Sequence, residues 1–200
     1  MTVAGVLLAA GSSSRMGRPK ALLPYRGSTF LHHAAETLCA TPCSPRYVIV
    51  GPEVEKSCWQ VKGLDVEVVE NPDHTSGLAS SIGAALRALE RREAANGERV
   101  EAILMTLVDQ PLVTARHLTA ILEAGRESGL AATSWATTFG PPALLYRAFF
   151  SSLKELRGNE GAKQILARNR DRLRLVAFPD AAVDVDDESD YERLLSGAKA

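Results

Sequence analysis

The sequence predicts an α/β fold in which a mostly parallel sheet is covered by helices on both faces. Three observations carry that prediction. Short apolar runs of strand character alternate with segments whose apolar residues fall at helical spacing. No segment repeats at a fixed period. The first apolar run, beginning at Val3, feeds directly into a Gly/Ser-rich loop that carries Arg15, Arg18 and Lys20, and the carboxyl ends of strands are where open α/β sheets bind ligands.

The bulk properties narrow the function. Two hundred residues, 46% hydrophobic and 24% charged, suit a single domain spanning 1–200 with a substantial core. A net charge of −1 leaves no global basic field, so neither nucleic acid nor a membrane surface is expected as a partner. No Lys or Arg precedes the N-terminal apolar run, which is too short to span a bilayer; a secretory signal is not expected, and a cytoplasmic location is. Cys39, Cys43 and Cys58 are sparse and lack zinc spacing. Reduced thiols are the expectation, with Cys39 and Cys43 packing at a helix end.

Taken in order, the first element is the strand from Val3 and its loop. Such a junction delivers backbone N–H groups and cations to one point, as a phosphate chain requires. It is not a P-loop, because Gly17 is followed by Arg18-Pro19-Lys20, nor a dinucleotide fingerprint, because Ser12 and Ser13 stand where a glycine is needed. Thr29 to Ala40 reads as a helix bearing Phe30, Ala34 and Leu38 on one face. His32 and His33 on it have no partners at metal spacing and read as flank residues. Tyr47 to Val50 is a strand ending at Gly51-Pro52, Val54 to Val61 a weak helix, and Leu64 to Val69 a strand broken by Asn71-Pro72-Asp73. That places Gly51 and Asn71 on the same rim as Gly11.

Gly77 permits close backbone approach, and Ser80 and Ser81 offer hydroxyls at the start of a helix through Ile82, Leu86 and Leu89, either to a ligand or as caps. Glu90 to Glu101 reads as a solvated helix end and loop. Ala102 to Val108 is an apolar strand ended by Asp109, a carboxylate poorly placed for packing and well placed either for Mg²⁺ or for a turn or cap. Thr114 caps the next helix, and Ala131 to Thr138 is a strand that Gly140-Pro141-Pro142 interrupts. Gly158 reads as the end of one helix and Asn159 as the cap of the next. In the extended Val183 to Asp186, Asp184 and Asp186 share a face; Asp187 caps the terminal helix, with Asp190 in its first turn.

LAAGSSSRMGRPKALLP, from Leu8 to Pro24, resembles the signature of the MobA/MocA-like NTP transferase family, nucleotidyltransferases of molybdenum cofactor biosynthesis. NPDHTSGLASS, VDQP, GPPALLYR, RGNEGA and VDVDDESDY follow in the family's order. The resemblance implies a Rossmann-like nucleotidyltransferase fold. It assigns Leu8, Ala9, Ala10, Gly11, Arg15, Lys20, Asn71, Gly77, Ser80 and Ser81 to the nucleotide. Arg15, Lys20 and Asp109 would be catalytic, and Asp109 and Asp186 would hold Mg²⁺, or Mn²⁺ in its place. Gly140, Pro142, Arg157, Gly158, Asn159, Gly161 and Lys163 would face the acceptor, although the local account of Gly158 and Asn159 stands beside that one. Asn159 replaces the family's usual Asp, and His74 stands where relatives often carry an aromatic.

The implied reaction is transfer of CMP from CTP to the phosphate of molybdopterin or the molybdenum cofactor, with release of pyrophosphate and a molybdenum hydroxylase as recipient. LAAG at Ala10 resembles the cytidylyl branch. An extra methyl facing a purine discriminates by only roughly 1–3 kcal/mol, so GTP stays open. A sugar or polyol phosphate acceptor and a non-catalytic cofactor carrier are the alternatives.

Overall fold

The computed structural model describes residues 1–11 and 16–197; Arg15 lies outside them. The chain begins with β1 (Val3–Ala9), a ribbon of β2 (Pro24–Tyr25) and β3 (Ser28–Thr29), and α1 (Phe30–Cys39). It continues through β4 (Arg46–Val50), α2 (Val54–Gln60), β5 (Glu67–Glu70), α3 (Leu78–Asn96), β6 (Ala102–Leu107) and α4 (Ala115–Ala124). It ends with β7 (Leu130–Trp135), β8 (Thr138–Tyr146), α5 (Phe150–Glu155), α6 (Ala162–Arg168), β9 (Arg174–Ala177) and α7 (Glu188–Ser196).

Seven strands form one sheet in the order β5-β4-β1-β6-β8-β7-β9. β1 is parallel to β4 and β6, β4 to β5, and β7 to β9; β8 alone runs antiparallel to its neighbours. The chain leaves β1 toward β4 and β5, then returns to the other side of β1 as β6. β1 and β6 therefore form the switch point of the sheet, where a crevice opens beyond their carboxyl ends. Val108 N–H donates to the Leu8 carbonyl at 3.1 Å and holds the two ends level.

The pleat sorts side chains to two cores. Ala4, Val6 and Leu8 face the layer of α3, α5 and α6, whereas Leu7 and Ala9 face α1, α4 and α7. Gly5 explains how closely α1 approaches β1, since a Cβ there would meet Leu38 at 2.8 Å. Helix starts follow side-chain capping: Thr29 accepts from His32 N–H, Thr114 from His117 N–H and Asp187 from Asp190 N–H. Cys43 is fully buried at the turn after α1. Among the described residues no helix is long and apolar enough to cross a membrane.

Three expectations need correction. Gly140-Pro141-Pro142 does not interrupt the sheet; β8 runs through it, and the register against β7 shifts there so that Ala143 pairs with Ala132 and Gly140 with Thr133 while the prolines sit in the irregularity. Proline has no N–H for the ladder, and a bulge removes the need for one. Gly158 does not end α5, which stops at Glu155 with Leu156 after it, and Asn159 does not cap α6. Gly161 occupies that position, its N–H donating to Gln164 Oε1 at 2.9 Å.

Candidate active site

Three segments distant in sequence meet beyond β1 and β6. Lys20 opens a tight helical turn, Lys20–Leu22, after Pro19. Asp109 follows β6, and Asp186 immediately precedes the cap of α7. Lys20 Nζ lies 2.9 Å from Asp186 Oδ1 and 3.5 Å from Asp109 Oδ2. The Lys20 side chain is only 12% exposed and that of Asp109 28%, whereas that of Asp186 is 51% exposed, so the cluster reaches from the cleft interior to solvent.

The backbone fixes the acids. Val185 is fully buried and its N–H donates to the Asp109 carbonyl at 3.0 Å, which leaves Asp184 and Asp186 on the opposite face of the extended chain. Gln110 donates through Nε2 to the carbonyls of Pro141 (3.2 Å) and Ala181 (3.4 Å), tying β6, β8 and the C-terminal segment together. Asp190 Oδ2 accepts from the N–H groups of Asp186 and Asp187. The loop's far end is tied to α7, with Arg18 Nη2 at 2.7 Å from Glu188 Oε1 and Tyr191 donating to the Pro24 carbonyl.

Desolvation in the cleft raises the Asp109 carboxyl above its ordinary range; Lys20 opposes that shift and the Asp186 charge adds to it. Asp184 is pushed up to about 6, by desolvation first and then by the charges of Asp109 and Asp186. Asp109 Oδ1 is buried without a hydrogen-bond donor among the described residues. An excess of carboxylate and an orphaned oxygen suit a divalent cation. No group of three His, Cys, Asp or Glu among the described residues is spaced to hold one, so a cation here would complete its shell with phosphate oxygens and water, the usual arrangement for Mg²⁺.

A cleft of about 460 Å³ opens over this cluster, lined by Leu8, Ala9, Ala10, Gly11, Lys20, Gly77, Ser81, Asp109 and Asn159 among others. A chamber of about 320 Å³ adjoins it, lined by Arg18, Gly51, Pro52 and Glu53 and sharing Ala9, Ala10, Gly11 and His74 with the first. His74 at the junction, with Thr75 and Leu78, was not among the expected ligands. Its signal was its place in the turn after β5, on the rim that Gly51 also lines.

Other expected residues stand elsewhere. Asn71 is fully buried behind the cleft wall, its amide donating to the hydroxyls of Ser80 (2.8 Å) and Ser81 (3.1 Å) while Oδ1 accepts from Asp73 N–H. It orders the start of α3, and Ser80 in turn donates to the Gly77 carbonyl. Gly140 and Pro142 are buried in β8, and the Pro142 carbonyl accepts from Thr133. Arg157 donates to the carbonyls of Lys154 and Leu156, and Lys163 to Thr138. The Gly158 carbonyl accepts from Ala79 N–H at 3.0 Å. Gly77, at φ +100°, lies so near that a Cβ would stand 2.4 Å from that oxygen, and one at Gly161 would stand 2.6 Å from Leu78. The loop between α5 and α6 is thus locked onto the start of α3, and of the acceptor candidates Asn159 lines the main cleft.

Residues 5–173 match the family described as the MobA-like NTP transferase domain. The chain is 34% identical over 143 residues to nicotine blue oxidoreductase of Paenarthrobacter nicotinovorans, covering 71% of this chain and 66% of that one. It is 32% identical over 184 residues to a probable molybdenum cofactor guanylyltransferase of Opitutus terrae, covering 89% and 85% respectively. The solved structure of Rv0371c from Mycobacterium tuberculosis in complex with manganese superposes with a TM-score of 0.77 at 28% identity, over 99% of this chain and 100% of that one.

Proposed function

Because this chain belongs to the MobA-like NTP transferase family and is a nucleotidyltransferase, we propose that it transfers CMP from CTP to the phosphate of molybdopterin or the molybdenum cofactor. The observation that carries the reading is the meeting of Lys20, Asp109 and Asp186 at the switch point of the sheet, at the edge of a cleft of nucleotide size.

In this reading a phosphate oxygen of the acceptor attacks the α-phosphorus of the nucleotide. A P–O bond forms to the acceptor, the bond to the bridging oxygen breaks, and pyrophosphate leaves with the electron pair. The acceptor phosphate is already ionised near neutral pH, so no protein nucleophile or strong base is required. Asp109 and Asp186 would hold a divalent metal, Mg²⁺ in this reading, which supplies neutralisation of the triphosphate charge. Lys20 would place its ammonium on the same phosphates, with Arg15 from the neighbouring loop. The loop backbone at Ala9 to Gly11 would face the nucleotide, and Asn159, across from it, the acceptor.

The choice of CTP rests on Ala10, which lines both chambers. A GTP preference is the second reading, favoured by the relative named as a molybdenum cofactor guanylyltransferase. A molybdenum hydroxylase would receive the product.

The test is thermal stabilisation by CTP, GTP, UTP and ATP, each with and without Mg²⁺, followed by pyrophosphate release with molybdopterin as acceptor. A nucleotide at about 100 times its dissociation constant adds roughly 2.7 kcal/mol of stability. The expected result is a Mg²⁺-dependent shift greatest for CTP. A greater shift with GTP moves the assignment to guanylyl transfer, and no shift with any nucleotide overturns the proposal.

A further inference from the structure

Two carboxylates brought close together repel, and an opposite charge offsets that repulsion when no metal is bound. Here Lys20 supplies one: its ammonium sits within 3.5 Å of both Asp109 and Asp186, and its side chain is 12% exposed, against 28% for Asp109 and 51% for Asp186. Its backbone is fixed, because Leu23 N–H donates to the Lys20 carbonyl at 3.1 Å and Ala21 and Leu23 are buried. The four-carbon stem has rotatable bonds about which it can re-aim, and Lys differs from Arg in carrying a compact point charge with rotatable donors.

We propose that Lys20 is an exchangeable place-holder for the metal. Without nucleotide it bridges the carboxylate pair; when a metal-bound triphosphate enters, the cation takes that pair and the ammonium passes to the phosphates. The proposal rests on the metal site described under Proposed function. An ammonium and a divalent cation cannot both occupy the space between the same two carboxylates, so metal alone must displace the lysine from them. A triphosphate offers the displaced ammonium oxygens of opposite charge. Metal and nucleotide therefore bind with positive coupling, and the coupling is reciprocal. The unpaired Asp109 Oδ1 gives the incoming cation a first oxygen that Lys20 does not occupy.

The experiment is a Mn²⁺ titration of the full chain followed by electron paramagnetic resonance, on the wild type, Lys20→Met and Lys20→Gln. Each is titrated alone and with a CTP analogue carrying a methylene between its α and β phosphates. Without nucleotide, both variants are expected to bind Mn²⁺ about tenfold more tightly than the wild type, a modest value among measured couplings between linked sites. With the analogue, the wild type is expected to gain at least about tenfold in Mn²⁺ affinity and the variants clearly less. Unchanged or weaker nucleotide-free Mn²⁺ binding in the two variants overturns the place-holder while leaving the metal site standing. Failure of the wild type to bind Mn²⁺ even with the analogue overturns the metal site itself.

Discussion

The rim beyond β1 and β6 and the loop between α5 and α6 face each other across the same cleft, yet they use polar residues in opposite ways. At the rim, Lys20, Asp109 and Asp186 come from positions up to 166 residues apart and meet in one cluster. In the loop, the side chain of Arg157 and the backbone of Gly158 and Gly161 are engaged in local carbonyl contacts, helix capping or packing against α3. Charges drawn from distant segments into one crevice mark chemistry; polar groups that close helix ends mark architecture. Asn159 is the exception in the loop, because it lines the cleft.

The sharpest way to break this contrast is Asp109→Asn. The change is nearly isosteric and removes a charge that burial already disfavours, so the melting temperature should hold or rise slightly. Metal-dependent turnover, measured as pyrophosphate release, should fall by at least about 10²-fold, the scale of losing one preorganised charge-stabilising group. A rate within tenfold of wild type would remove Asp109 from the metal site and leave the rim no more catalytic than the loop.

A second prediction concerns the seam between the two regions. Gly77→Ala would force an L-residue at φ +100° and place its Cβ 2.4 Å from the Gly158 carbonyl, which is backbone and cannot swing aside. Strain of this kind costs about 1–3 kcal/mol before the clash is counted, and urea unfolding should report at least that loss. A variant within about 0.5 kcal/mol of wild type, the range of a neutral surface change, would mean that the loop is not locked onto α3 and can move independently of the nucleotide side.

How much of this was legible in the sequence follows the same division. The strand from Val3, the carboxylate ending β6, the alternation at Asp184 to Asp186 and the Asp187 cap all follow from short-range rules of period and capping, and the structure has each of them. The strand through Gly140-Pro141-Pro142 was not legible, because proline normally ends a ladder and only the partner strand reveals the bulge that accommodates it. The resemblance assigns Asn71 to the nucleotide, and its place after a strand puts it on the rim with Gly51. That it is buried and spent on Ser80 and Ser81 depends on where α3 begins relative to β5, a tertiary fact. The approach of Lys20 to Asp186 was accessible only through family resemblance, since no local rule relates such distant positions.

The smallest expected effect belongs to Arg157, and it tests the quiet side of the contrast. Its guanidinium donates to the Lys154 and Leu156 carbonyls at 2.9 and 2.8 Å and is exposed. Arg157→Ala should therefore cost about 1 kcal/mol of stability, as loss of solvent-accessible hydrogen bonds does. kcat/KM should stay within about threefold, less than 1 kcal/mol of transition-state binding. The informative measurement is KM for acceptor and for nucleotide separately. A rise confined to the acceptor KM would show that Arg157 leaves its local carbonyls to reach substrate, and the loop would then join the rim as part of the reacting site. Unchanged values for both would leave Asn159 as the loop residue through which an acceptor is read, because it alone of the seven acceptor candidates lines the cleft that holds Lys20 and Asp109.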